Sequence, residues 1–346
     1  MGMMTSISVD EIRQRGTIRD RDVARLRAAF EATETITADD ADALFSLHTA
    51  SPVQTPAWSS FFIEAITDYV VHQAEPDGYV VAENGRWLTD RVGAFGRVVT
   101  STELALVIHV LETARWTPAG LAAFALDQIR HAIETGTGPL RTGRVAGVGT
   151  ITPTEVALAA RIIGAFGGET SLAVTRAEAR SLFAINRALA PGLSSPAWSA
   201  LFVRAIGTAV LAATGHAVDC RRDLIEAVAG RNAAPELLAL LLGESAGIKA
   251  PSASGRVGRS GNCLIWSSAP LLSTEELALA RLERQRLEIV TNEVIEEVTA
   301  DWLMAKLSEP SADTSNETAL LAFVTREASR LPQPLAAFAA HRMLAA

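Results

Sequence analysis

Apolar residues recur along most of this chain every three or four positions, and the polar runs between them tend to begin with Thr or Ser. That rhythm predicts a succession of amphipathic helices. Val23, Leu26 and Phe30 step at helical spacing, and Ala43, Leu44 and Leu47 do so again behind residues 36–40. Trp58, Phe62, Ile66 and Val70 form a stripe in steps of four, starting at Thr55-Pro56 and reaching about Gln73. Thr55 is placed to cap that helix, Pro56 to open it and Trp58 to begin its buried face. A short helix over 84–92 carries Trp87-Leu88. Another opens at 100–103 and runs to about Arg115, and Thr117-Pro118 opens one reaching about Glu134. Val9 to Ile12 can start a short helix inside a lead-in over 1–16.

The pattern is then written a second time. Thr-Pro-Ala-Trp-Ser at 55–59 returns as Ser-Pro-Ala-Trp-Ser at 195–199, an offset of 140 residues. Residues 174–178 match 36–40 at an offset of 138, with Leu182-Phe183 answering Leu44-Phe45. Trp302-Leu303 answers Trp87-Leu88 at 215. Residues 317–339 align without a gap on 103–125 at 214, with 11 of 23 positions identical, including Leu-Ala-Ala-Phe-Ala at 335–339. Collinear matches of this length exceed what Ala-Leu bias alone produces. The expectation is an all-α protein of two pseudo-repeated helical bundles of about six helices each, the second with a helical insertion. The boundaries read from the pattern are a lead-in at 1–16, repeat 1 at 17–136, a Gly/Thr/Arg-rich linker at 137–149, and repeat 2 at 150–346 with the insertion at about 216–290.

Within the insertion, residues 245–271 are rich in Gly and Ser and hold Lys249, Arg256, Arg259 and Trp266 but no acidic residue beyond Glu244. A stretch that long is functional or mobile, so these four are the candidate partner contacts. Its Gly255 to Gly261 run lacks the strand before it and the Gly-Lys-Ser/Thr that a phosphate loop needs.

Composition narrows the class. The 346 residues are 49% hydrophobic and 20% charged, which excludes a disordered chain. A net charge of −8 disfavours nucleic acid as partner. Cys220 and Cys263 are the only cysteines, so neither a disulfide framework nor a thiolate metal set is expected. No apolar run reaches the ~18 residues of a membrane span, and no signal peptide is recognised, so the expected location is cytoplasmic.

Candidate chemistry is sparse. An aliphatic residue followed by Thr or Ser and, three positions later, Asp or Glu recurs at 36–40, 99–103, 151–155, 174–178 and 272–276. That spacing is a capping box, because the hydroxyl and the carboxylate satisfy the orphan N–H groups of a helix start. The alternative is a degenerate EF-hand, for which Gly149, Ile151 and Glu155 fit three loop positions while Arg144, Ala146 and Val148 supply no oxygen ligand. His48, His72, His109, His131, His216 and His341 form no i,i+3 or i,i+4 pair, so no two-His metal face is expected. Asp68 and His72 are four apart and are expected to pair on the helix surface. Trp58, Trp87, Trp198 and Trp302 recur at matched places, as core anchors would.

Gly16 to Asp22 and Gly149 to Glu155 resemble the Gly-x-aliphatic-x-x-x-acidic helix starts of TerB-like modules, the tellurite-resistance family; the start at Thr100 to Glu103 matches more loosely. The resemblance implies small helical bundles, stress responses and acidic divalent-metal sites. The Asp that commonly precedes the Gly is replaced by Arg15 and Val148, so it carries architecture rather than chemistry. The functional expectation is a non-enzymatic interaction or scaffold protein, with another protein as partner and no catalytic, cofactor or metal residues. The alternative is a divalent-cation (calcium) sensor.

Overall fold

The computed structural model describes residues 9–33, 35–74, 77–94, 96–142, 146–165, 174–213, 241, 296–311, 313–328 and 331–344. These residues are all-α: thirteen helices and one hairpin of two-residue strands, Gly93–Ala94 with Arg97–Val98. They divide into two compact units, the first holding the described residues up to Pro118 together with Leu241 and the second the others from Ala119 onward.

The first unit holds α1 (Val9–Arg15), α2 (Asp20–Thr33), α3 (Ala38–Ala50), α4 (Pro56–Thr67), α5 (Ala82–Arg91) and α6 (Ser101–Thr113). Its centre is α4, which packs against α2, α3 and α6. Its inner face carries Trp58, Phe61, Phe62, Ala65 and Ile66, all fully buried. At roughly 2–3 kcal/mol for each large side chain, that stripe contributes substantially to the unit's stability. Phe45 of α3 meets Phe62 edge-on at 5.0 Å and Trp87 of α5 at 5.6 Å.

The α4 helix does not simply run on to Gln73. From Asp68 to Gln73 it widens into a π-helix, in which residues five apart line up. Asp68 therefore accepts a hydrogen bond from Gln73, whose own carbonyl oxygen accepts from the Ile36 N–H at 2.5 Å. His72 pairs with Asp77 at 3.0 Å, not with Asp68 as an α-helical register requires.

The second unit holds α7 (Ala119–Thr135), α8 (Pro153–Gly164), α9 (Arg176–Ala188), α10 (Pro196–Ala213), α11 (Glu296–Ser308), α12 (Ser315–Glu327) and α13 (Gln333–Leu344). Here α10 is central and touches α8, α9, α11 and α12, while α7 lies along α9 and α8. The crossing of α10 and α12 is close. A Cβ on Gly207 would stand 2.5 Å from Cδ1 of Phe323, so only glycine fits there. Phe183 repeats the aromatic pattern, edge-on to Phe202 at 5.2 Å and to Trp302 at 6.0 Å.

Helix α7 is grouped with the first repeat by sequence, yet it belongs to the second compact unit, as does the stretch at 137–142. Packing is indifferent to where a repeat begins: the apolar positions of α7 are buried wherever a matching surface lies. No helix among the described residues is long and apolar enough to cross a membrane.

Candidate functional site

The acidic helix starts are the first place to look for chemistry. Thr37, Thr100, Thr152 and Thr175 each accept from the N3 backbone N–H, and Asp40, Glu103, Glu155 and Glu178 reach back to the cap. Each carboxylate bonds the start of its own helix, where it also opposes the positive end of the helix dipole. The fifth occurrence, at 272–276, lies outside the described residues.

The two Gly-x-aliphatic-x-x-x-acidic starts share a further arrangement. Gly16 and Gly149 adopt positive φ of 65° and 77°. Ala190 donates to the Gly149 carbonyl at 2.9 Å, and a Cβ on Gly149 would meet the Ala190 Cβ at 2.8 Å. In the first unit the Arg15 guanidinium bonds the Thr17 carbonyl at 3.1 Å and the Asp22 carboxylate. In the second, Arg141 bonds the Thr150 carbonyl at 2.7 Å and Glu155 at 3.1 Å. The latter pair is buried on both sides. A carboxylate neutralised by arginine inside the protein offers a cation little. Among the described residues no group of three or more His, Cys, Asp or Glu could hold a metal ion.

The tryptophan nodes form a second matched set. The Trp58 indole N–H donates to Nδ1 of His48 at 3.2 Å. An indole can only donate, so Nδ1 is the acceptor and Nε2 carries the proton, facing Thr100 Oγ1 at 3.2 Å. The ring is stacked on Phe62 at 4.6 Å. Burial alone pushes the His48 pKa down to about 4, so the ring is neutral. Glu103 stands 4.0 Å away, its pKa raised by burial and partly restored by bonds from the Thr100 and Val99 backbone. In the second unit Trp198 donates instead to Asn186 Oδ1 at 3.1 Å, which also accepts from Asn316 at 2.7 Å. A histidine and an asparagine thus perform one task, accepting from a buried indole.

Several expectations are corrected. The Thr55 hydroxyl caps nothing and is buried without a partner, whereas Ser195 Oγ accepts from the Trp198 N–H at 3.1 Å. Trp58 and Trp198 are core residues, but Trp87 and Trp302 are only half-buried, each under a guanidinium, Arg91 and Arg176 respectively, at 5.9 Å. Lys249, Arg256, Arg259 and Trp266 all lie outside the described residues.

One feature has no sequence signal in a single copy. In α7 two adjacent stripes are buried, one including Leu121 and Ala125, the other Ala122, Leu126 and Ile129. Aligned at the 214-residue offset, α13 buries only the first, as Leu335 and Ala339, against α12 and α11. Its second stripe, Ala336, Ala340 and Met343, is exposed and itself carries no charge, while the half-exposed Arg342 turns to Glu317. Exposed faces of water-facing helices ordinarily carry charge. Comparison of the two helices exposes the difference; α13 alone reads as an ordinary Ala-rich helix.

No family model, curated protein or solved structure matches this chain.

Proposed function

We propose that this chain is a non-enzymatic interaction or scaffold protein of the cytoplasm, built from a duplicated helical unit, and that it acts by seating other helices. The observation that carries this reading is the uncharged outer face of α13, where Ala336, Ala340 and Met343 are exposed while Ala122, Leu126 and Ile129 of α7 are buried. Contiguous exposed apolar patches, where large, mark interaction sites. Support for the duplication comes from recurrent detail. Arg15 and Arg141 bind equivalent carbonyls and carboxylates, and His48 and Asn186 accept from equivalent indoles. The TerB-like helix starts fit a stress-linked role, and the insertion, with Lys249, Arg256, Arg259 and Trp266, supplies a second contact surface in this reading.

The test is affinity capture of partners from cell lysate with the full chain, a variant lacking 245–271, and Ala340→Glu. Loss of the same specific partners in either variant, with helical content retained, is the expected result. Capture unchanged in both overturns the reading.

A further inference from the structure

The two tryptophan nodes differ in one residue whose chemistry depends on pH. At the 138-residue offset that sets 174–178 on 36–40, position 48 is His and position 186 is Asn. Each side chain sits at the seam between two helices of its own unit, α3 with α4 and α9 with α10. Each accepts from the indole N–H across that seam, at 3.2 Å and 3.1 Å. An asparagine carbonyl accepts at any pH. An imidazole accepts only while it is neutral, because its cation carries a proton on both nitrogens.

The geometry gives a second proton on His48 no acceptor. Nε2 already faces Thr100 Oγ1, and Nδ1, the only nitrogen left, faces an indole that can only donate. Protonation sets two N–H donors against each other. The residue is 3% exposed and its ring lies flat on Phe62, so the new donor meets no solvent while the seam is closed. The one carboxylate in ion-pair range among the described residues is Glu103 of α6, at 4.0 Å from Nε2 and not on the Nδ1 side. The other charged groups around α3 are engaged elsewhere or face solvent. Glu64 of α4 pairs with Arg27 of α2, Arg15 of α1 with Asp22, and Arg91 of α5 with Asp42. Arg13 stands by Asp10, Asp40 bonds its own helix start, and Glu11 and Asp39 are exposed. In the second unit Asn186 is bonded by Trp198 and Asn316, neither of which titrates, and Glu317, at the position matching Glu103, is met by Arg342 at 3.4 Å.

We propose that His48 is an acid-operated latch: on taking up a proton it releases the Trp58 indole and opens the α3–α4 seam of the first unit, while the α9–α10 seam of the second, latched by Asn186, stays shut. The device is independent of the scaffold reading and needs no partner. Its range follows from linkage. The closed ring titrates at about 4 and a freed imidazole near 6.5, so between those values opening and protonation favour each other. From pH 7 to pH 5 this one group raises the open fraction of the seam roughly 20-fold. Glu103, raised by burial, takes its proton in the closed form and opposes opening, but it does so whether or not residue 48 is histidine.

Native-state amide hydrogen exchange of the full chain at pH 7 and pH 5, followed by NMR and corrected for intrinsic rates, reads the opening of each helix. Amides of α3 and α4 should open more often at pH 5 by that factor, while those of α9 and α10 change little. The indole N–H resonance of Trp58, assigned with Trp58→Phe, should move over the same range, and that of Trp198 should not. His48→Asn should remove the response of α3 and α4, and Asn186→His should create one in α9 and α10. Equal responses in the two units, a response of α3 and α4 that persists undiminished in His48→Asn, or a Trp58 indole indifferent to pH would each overturn the proposal. Should a variant fail to fold, the wild-type contrast between the two units and the two indoles decides by itself.

Discussion

The two Pro-Ala-Trp-Ser helix starts differ by one hydroxyl contact. Ser195 caps its helix and Thr55, buried at the same place, does not. Ser195→Ala should therefore cost about 1 kcal/mol, while Thr55→Ala, which removes an unsatisfied hydroxyl, should stay within about 0.5 kcal/mol, as read by urea denaturation. His48 gives a pH signature. Its pKa is about 4 in the folded chain and about 6.5 when unfolded. Between these values the unfolded chain binds a proton that the folded chain refuses. The folded state's advantage is complete above pH 6.5 and is lost as the pH falls towards 4, about 3 kcal/mol in all. Glu103, raised by burial, works in the opposite sense, because protonation favours its folded form. The comparison that isolates the histidine is His48→Asn, which installs the acceptor used at Asn186. Stability measured from pH 7 to pH 4 should fall less steeply in that variant than in the wild type.

Among the elements, the α10–α12 crossing is the least forgiving. Gly207→Ala would normally stabilise a helix by about 0.5–1 kcal/mol. Here the added methyl would lie 2.5 Å from the Phe323 ring, so a net loss of about 1–3 kcal/mol is expected. Thermal unfolding of Gly207→Ala and of the double variant with Phe323→Val checks it, since shortening the ring should recover most of the loss. The capping boxes were legible in the sequence because four residues supply all their atoms. The π-helix at Asp68–Gln73 was not, because Gln73 is drawn to the Ile36 N–H, a partner 37 residues away. That contact shifts the register and separates Asp68 from His72.

For the whole molecule, the helix-start carboxylates bear on the cation-sensor alternative. Asp22 and Glu155 are paired with arginine, and Asp40, Glu103 and Glu178 are bonded to their own helix starts. A cation that bound the folded chain tightly would raise its stability by mass action. Millimolar calcium or a chelator is accordingly expected to shift the melting temperature by less than ~1 °C, followed by circular dichroism. A calcium-dependent rise of several degrees would favour the sensor instead.

Helix content, helix starts and the doubled pattern were determined by sequence alone, because periodicity, Thr-x-x-Glu spacing and Pro at a first helical position act over four to fifteen residues. Tertiary structure decided the rest. It placed α7 in the second compact unit, left Thr55 without a partner, joined Arg15 to Asp22 and Arg141 to Glu155, and exposed one stripe of α13 while burying its counterpart. A sequence states which face of a helix is apolar. Which neighbour covers that face, and whether any does, depends on surfaces contributed by residues far away along the chain.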